Sequence, residues 1–195
     1  MDTKTRNRGF TIIELMITVA LVAIILALGA PFFRATIIEN RLATETNNFI
    51  ASINHARSLA AKRNQSVTMC ISSGVDSSGG GSCMDSAIGW EQGWIVFNDI
   101  DRDGVLDSGG DETVLLVNES LPSGYTLHGT SAFADTLTFH PFGEVGGNSL
   151  GSFRLCSPDA GADNEDEDDI ARKISINLTG RARVQKGLDD DEDCP

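Results

Sequence analysis

The longest apolar run of the chain lies near its N-terminus, from Phe10 to Ala30. These roughly twenty residues are long enough to cross a bilayer as one helix. Glu14 is the one charged residue in the run, and a carboxylate is costly in lipid unless a partner neutralises it. The pattern predicts a transmembrane or filament-core helix at residues 10–30 that carries one functional carboxylate.

The pattern becomes amphipathic after Pro31. Charged and amide side chains occupy most faces of this segment, while apolar residues recur at helical intervals, at Ile38, Leu42, Phe49, Ile53, Ala56 and Ala60. Such spacing is typical of a helix with one apolar stripe. We predict that residues 31–63 continue the helix and pack this stripe on the domain that it carries.

The remainder of the chain, residues 64–195, reads as a β-rich globular domain. Short runs of branched and aromatic residues are separated by Gly, Pro, Asp or Asn. We predict eight strands, at Ser66–Ile71, Trp94–Asn98, Thr113–Val117, Tyr125–His128, Thr136–His140, Ser152–Ser157, Arg172–Leu178 and Arg181–Gln185. One long helix followed by eight strands predicts an α+β fold in which the helix packs against antiparallel sheets.

A basic segment, residues 1–9, precedes the apolar run. Basic residues beside an apolar span favour a cytoplasmic N-terminus, with the globular domain in the periplasm or outside the cell. The sequence from Gly9 through Phe10 to Glu14 resembles the N-terminus of type IV pilins and of type II secretion pseudopilins. The resemblance implies that a prepilin peptidase cleaves after Gly9 and methylates Phe10. It also implies that Glu14 pairs with the N-terminal amine of a neighbouring subunit.

Three further segments resemble the minor pilins and pseudopilins of the FimT/GspH family. They are the helix end Ala56–Arg63, the Gly-Trp-x-x-Phe segment 93–97 before an acidic turn, and the Gly-Arg-x-Arg element 180–183. The resemblance implies a subunit that assembles into or primes a pilus or a type II secretion pseudopilus. Its partners would be other pilins or pseudopilins, the prepilin peptidase and the inner membrane. Which of the two machines the chain serves stays open.

The Gly-Arg-x-Arg element is implicated, in FimT-type minor pilins, in binding extracellular DNA during natural transformation. Arg181 and Arg183 are two positions apart, so a strand places them on one side, where both can meet phosphates. The candidate contacts to double-stranded DNA are Arg181, Arg183, Lys186, Arg172 and Lys173. A net charge of −13 opposes such binding, as do the acidic runs 163–169 and 189–193. The alternative is a purely structural pseudopilin whose arginines pair with these acidic runs.

Four cysteines suit an oxidising compartment and permit three pairings. We expect Cys70–Cys83, which closes a Gly/Ser-rich loop, and Cys156–Cys194, which ties down an acidic C-terminus. No Cys-x-x-Cys spacing indicates zinc.

An acidic turn follows the predicted strand 94–98. Its alternating carboxylates and the glycine Gly104 resemble the start of an EF-hand-like calcium loop, with candidate ligands Asp99, Asp101, Asp103 and Asp107. The twelfth position of such a loop is Gly110 rather than Glu, and the flanking segments read as strands. An ordinary hairpin turn is therefore the favoured interpretation, and calcium is the alternative. We expect no other metal or cofactor.

No segment carries a catalytic motif. The three histidines, His55, His128 and His140, have no Ser, Cys or carboxylate in a recognisable catalytic arrangement around them. No phosphate-binding Gly loop joins a strand to a helix. We therefore expect a binding or structural protein rather than an enzyme.

Overall fold

The computed structural model describes residues 10–72, 82–84, 89–107, 110–148, 150–158, 171–189 and 194. Gly9 and the acidic run 163–169 lie outside the described residues. The chain divides into two compact units, Met1–Ile38 and Glu39–Pro195. Helix α1 spans Ile12–Arg63 and contributes to both units.

The first unit is the N-terminal part of α1. Thr11 caps the helix, because its Oγ1 accepts a hydrogen bond from the backbone N–H of Glu14 at 3.2 Å. Thr and Glu three residues apart form the sequence of a capping box, and a carboxylate in the first turn also favours the helix dipole. Within the described residues, no helix is both long enough and apolar enough to cross a bilayer.

The helix ends at Arg63. The basic residues of its last turn and the polar residues that follow favour an end at this position. Asn64 adopts the left-handed conformation, with φ of 53°. The N–H of Gln65 donates to the carbonyl of Ala60 at 3.3 Å, which is the long hydrogen bond of a Schellman-type end.

Two four-stranded antiparallel sheets form the rest of the second unit. Their strands are β1 (Val67–Ile71), β2 (Trp94–Asn98), β3 (Val114–Asn118), β4 (Thr126–Gly129), β5 (Thr136–Phe139), β6 (Gly151–Cys156), β7 (Ala171–Ile176) and β8 (Ala182–Lys186). One sheet has the order β3-β2-β1-β5, and the other has the order β4-β6-β7-β8. All eight predicted strands are confirmed, with ends that differ by at most two residues, and so is the α+β class.

The core forms where the apolar stripe of α1 meets both sheets. The stripe residues Leu42, Phe49, Ile53, Ala56 and Ala60 are fully buried, which confirms the predicted periodicity from Leu42 onward, whereas Ile38 is only half-buried. The ring of Phe49 packs edge-on against Trp90, Trp94 and Phe153, with centroid distances of 5.8, 5.0 and 4.8 Å. Each such aromatic pair contributes about 0.5–1.5 kcal/mol beyond the area that it buries. Because Trp94 lies in one sheet and Phe153 in the other, Phe49 joins the two sheets.

Two disulfides close the domain, in the pairing expected from the sequence. Cys70 of β1 bonds to Cys83, and Cys156 of β6 bonds to Cys194, with Cα–Cα distances of 5.5 and 6.0 Å. The second bond ties Cys194, close to the C-terminus, to the last residue of β6.

Candidate functional site

The N-terminal segment presents apolar side chains on every side of the helix. The large apolar residues from Ile12 to Leu26 are each more than half exposed, and Phe10 is 71% exposed. Glu14 is exposed among them and forms no ion pair with any described residue. Continuous apolar surface of this extent marks a membrane or protein contact.

Strands β7 and β8 carry basic side chains on both faces. Lys173 lies opposite Gln185 in their register. Because successive side chains of a strand point to opposite faces, Lys173 and Arg183 share one face, here called the outer face. Arg172 and Lys186 share the other, here called the helix face.

The outer face brings together Arg181, Arg183 and Lys173. These three residues line a shallow groove of about 660 Å³, which Ser152, Ser175 and Asn177 also line. Arg181 and Arg183 are exposed, and neither forms an ion pair within the described part of the chain. The groove can therefore offer at least two guanidinium groups to an anionic ligand.

The helix face places Arg172 and Lys186 beside Glu39 of α1. Lys186 Nζ lies 2.7 Å from Glu39 Oε1, and Arg172 Nη2 lies 3.7 Å from the same oxygen. Arg172 is 4% exposed and also donates from Nη1 to the carbonyl of Ala171 at 2.7 Å. The five candidate DNA contacts therefore do not share one face, because strand alternation turns Arg172 and Lys186 away from Arg183.

The beginning of the C-terminal acidic run returns to the outer face. Asp189 pairs with Lys173 at 2.5 Å and accepts a hydrogen bond from Gln185 Nε2 at 3.0 Å. Hydrogen bonds from Lys173 and Gln185, together with the Lys173 charge, hold the pKa of Asp189 below its usual range. The structural alternative paired the arginines with the acidic runs. Among the described residues Asp189 instead contacts Lys173 and Gln185, which leaves Arg181 and Arg183 as the open part of the groove.

The acidic turn joins β2 to β3, as the hairpin interpretation predicts. Asp99, Asp101 and Asp103 each have a carboxylate oxygen within 4.8 Å of the other two. Desolvation raises the pKa of Asp107 above its usual range, and the neighbouring carboxylates of Asp101, Asp103 and Glu112 raise it further. The turn therefore concentrates negative charge at one end of the first sheet.

Comparison with known proteins decides the family. The family model described as "Type II transport protein GspH" matches residues 45–180, which is more than half of the chain. The chain belongs to the GspH family. The prokaryotic N-terminal methylation motif matches residues 4–30, the segment that carries Gly9, Phe10 and Glu14. As a GspH-family chain with this motif, the protein is a minor pilin or pseudopilin of a type IV pilus or a type II secretion system.

Two crystal forms of one minor pilin share the fold of this chain. The type IV minor pilin FimU of Pseudomonas aeruginosa superposes with a TM-score of 0.54 at 21% identity, over 75% of this chain and 89% of FimU. A second crystal form of FimU gives 0.51 at 20% identity, over 73% and 91% of the two chains. The minor pseudopilin EpsH of Vibrio cholerae gives 0.45 at 12% identity, over 75% and 97%. The sequence matches no curated protein significantly.

The substitution Glu39→Gln tests the ion pairs of the helix face. Hydrogen bonding to Lys186, the Lys186 charge and the Arg172 charge hold the pKa of Glu39 below its usual range. The contribution of the ionised Glu39 carboxylate to folding stability is therefore complete above the unfolded-state pKa of about 4.3. It is lost as the pH falls through the lower folded-state pKa. We expect the variant to melt at a lower temperature than the wild type near neutral pH, and we expect this difference to vanish in acid.

Thermal melting of the full chain in detergent micelles, from about pH 7 down to below the carboxylate pKa range, measures this effect. Glu119→Gln, an exposed residue outside the ion pairs, is the matched control. A difference between Glu39→Gln and wild type that is equally large in acid would contradict the assignment.

Proposed function

We propose that the chain is an assembly subunit that enters a pilus or pseudopilus through its N-terminal helix. Residues 10–30 hold the precursor in the inner membrane, with residues 1–9 in the cytoplasm and the sheets in the periplasm. The prepilin peptidase cleaves after Gly9 and methylates Phe10. Neighbouring helices then replace lipid around the apolar segment as the filament forms or is primed.

The observation that carries this proposal is the exposed apolar helix with Glu14 in its first turn. Burying more than ten large apolar side chains against neighbouring helices is favourable by about 25 cal/mol per Å². A lone carboxylate opposes that burial, since an unpaired charge in an apolar environment costs several kcal/mol. The amine at Phe10 of a neighbour would neutralise Glu14, and the same contact would set the axial register of the two subunits.

The variant Glu14→Gln tests the assembly contact. It removes the charge but keeps the size and the polar character of the side chain, so membrane insertion should remain. We expect its recovery in sheared filament or pseudopilus fractions to fall at least about tenfold, because the amine of a neighbour would lose its counter-charge. Quantitative immunoblotting of filament and membrane fractions measures this change.

The matched control is Glu45→Gln, which makes the same change in the part of α1 that belongs to the globular unit. N-terminal sequencing of the membrane fraction shows whether cleavage after Gly9 has occurred, and so separates processing from assembly. Recovery of Glu14→Gln in filaments at the wild-type level, with normal cleavage, would contradict the proposed pairing of Glu14 with the N-terminal amine of a neighbour.

A second candidate function, binding of double-stranded DNA, is favoured by the outer groove. Arg183 of β8 and Lys173 of the neighbouring strand β7 lie on the same outer face. Arg181, just before β8, lines the same open, concave groove. The opposing observations are the net charge of −13 and the contact of Asp189 with Lys173. Binding would therefore involve few phosphates, so it would be weak, and log affinity would fall with log salt with a slope of only about −2 to −3.

The double variant Arg181→Ala with Arg183→Ala tests this function. For two lost phosphate contacts, we expect the slope of log affinity against log salt to become shallower by about 2. Fluorescence anisotropy of a short labelled duplex, titrated with the full chain in detergent at several salt concentrations, gives this slope.

The control Arg41→Ala with Arg63→Ala removes the same charge from exposed positions of α1. It should bind as the wild type does if the groove is the site. No anisotropy change for the wild type at low salt would eliminate the DNA function and leave the structural role. Equal losses in both double variants would show a non-specific charge effect instead.

A further inference from the structure

The connection between β2 and β3 contains a buried carboxylate that its surroundings only partly satisfy. Asp99 is 1% exposed. Its Oδ2 accepts hydrogen bonds from Thr68 Oγ1 at 2.6 Å and from the Gly104 N–H at 3.2 Å. Its Oδ1 is buried and has no hydrogen-bond partner among the described residues. A buried carboxylate oxygen without a partner is energetically costly, and a bound cation would supply the missing partner.

Two further carboxylates converge on Asp99. One oxygen from each of Asp99, Asp101 and Asp103 lies within 4.8 Å of the others. Two ligands of one calcium ion, each at 2.3–2.6 Å from the metal, are at most about 5.2 Å apart. The cluster therefore already has a separation that a single calcium ion can bridge. No ion pair joins these carboxylates to Arg102 or to another basic residue within the described part of the chain.

The loop backbone is arranged around the same carboxylates. Asp101 Oδ1 accepts the N–H of Asp103 at 3.3 Å, and Asp103 Oδ1 accepts the N–H of Val105 at 2.7 Å. Each side chain thus uses one oxygen to shape the turn, and its second oxygen accepts no hydrogen bond from a described residue. Gly104 has φ of +79°, a conformation that favours glycine and lets the chain turn sharply after the third carboxylate.

Glu112 closes the loop, although it stands two positions beyond the expected twelfth residue. Its Oε1 accepts the N–H of Ile100 at 2.7 Å, and its Oε2 accepts the N–H of Asp107 at 3.0 Å. The sequence comparison with an EF-hand fails at Gly110, but in three dimensions a carboxylate still returns to join the two ends of the loop.

We propose that the β2–β3 connection is a calcium site whose ligands are Asp99, Asp101 and Asp103, with water completing the set. Carboxylate oxygens at alternate positions suit a hard cation with six to eight oxygen ligands, and they suit calcium better than the smaller magnesium ion. The site extends the proposed assembly function and does not depend on it.

Calcium would tie the loop to the centre of the first sheet. Thr68 of β1, which bonds to Asp99, also lies 2.7 Å from Thr138 Oγ1 of β5. An ion on Asp99 would therefore link the β2–β3 connection, β1 and β5 through one chain of contacts. We expect calcium to raise the melting temperature of the folded domain by mass action.

Isothermal titration of the full chain in detergent micelles with CaCl₂ tests the site directly. The expected result is one saturable site per chain, with a dissociation constant on the order of 0.1–1 mM, as in extracellular calcium modules. Magnesium should bind at least about tenfold more weakly, because it demands a tighter octahedral shell. A calcium-dependent rise in the melting temperature of the same sample is the second readout.

The variant Asp101→Asn with Asp103→Asn removes two ligand charges while each side chain keeps an oxygen for the loop amides, so folding should be retained. We expect it to lose the site and the calcium-dependent rise in melting temperature.

The control Glu144→Gln, an exposed carboxylate outside the loop, should bind as the wild type does. Both acidic runs, 163–169 and 189–193, are unchanged in these variants, so diffuse binding to them persists equally. Wild-type heats equal to dilution at several millimolar calcium, or equal binding by the wild type and the loop variant, would overturn the proposal.

Discussion

The structure depends on the burial of one apolar stripe of α1 against two antiparallel sheets. Phe49 contacts aromatic rings from both sheets, and Leu42, Ile53, Ala56 and Ala60 extend the same buried line. This packing fixes the second part of the helix and buries its apolar stripe, with Ile50 and Leu59 partly buried beside it. Towards the N-terminus the helix is apolar on every side and exposed, so its surface is available for lipid or for neighbouring subunits. One helix thus serves both as a core element and as an attachment segment.

The same packing also decides which charges are free to act. Glu39, on the helix, engages Arg172 and Lys186 on the helix face of β7 and β8, and so removes two of five candidate basic residues from the outer surface. Asp189 neutralises Lys173 on the other face. What remains open is the pair Arg181 and Arg183, on a molecule that is strongly acidic overall. A surface this small could neutralise only a few phosphates, so any contact with a polyanion through it would be weak.

Periodicity and turn residues were sufficient to predict most of the fold. Helical spacing predicted the stripe of α1. Runs of branched and aromatic residues separated by Gly, Pro, Asp or Asn predicted the eight strands. An oxidising compartment and the loops to be closed predicted the disulfide pairing. The pairing of Glu39 with Lys186 was not predictable, because 147 positions separate the two residues and only the packed helix brings them together. Strand alternation did place Arg181 and Arg183 on one side, but it does not say which face of β7 the helix covers. The role of Glu112 was equally hidden, since an offset of two residues breaks the linear motif while the folded loop still closes.

We propose that the exposed apolar part of α1, and not the β-rich domain, makes the primary assembly contact. In-cell photo-cross-linking tests it, with p-benzoylphenylalanine placed either at Ile17 in the apolar segment or at Gln185 on the outer face. We expect Ile17 to cross-link to other pilin or pseudopilin subunits while their machine is assembling, and we expect these products to disappear when the assembly machinery is absent. Subunit cross-links from Gln185 alone, with none from Ile17, would contradict it.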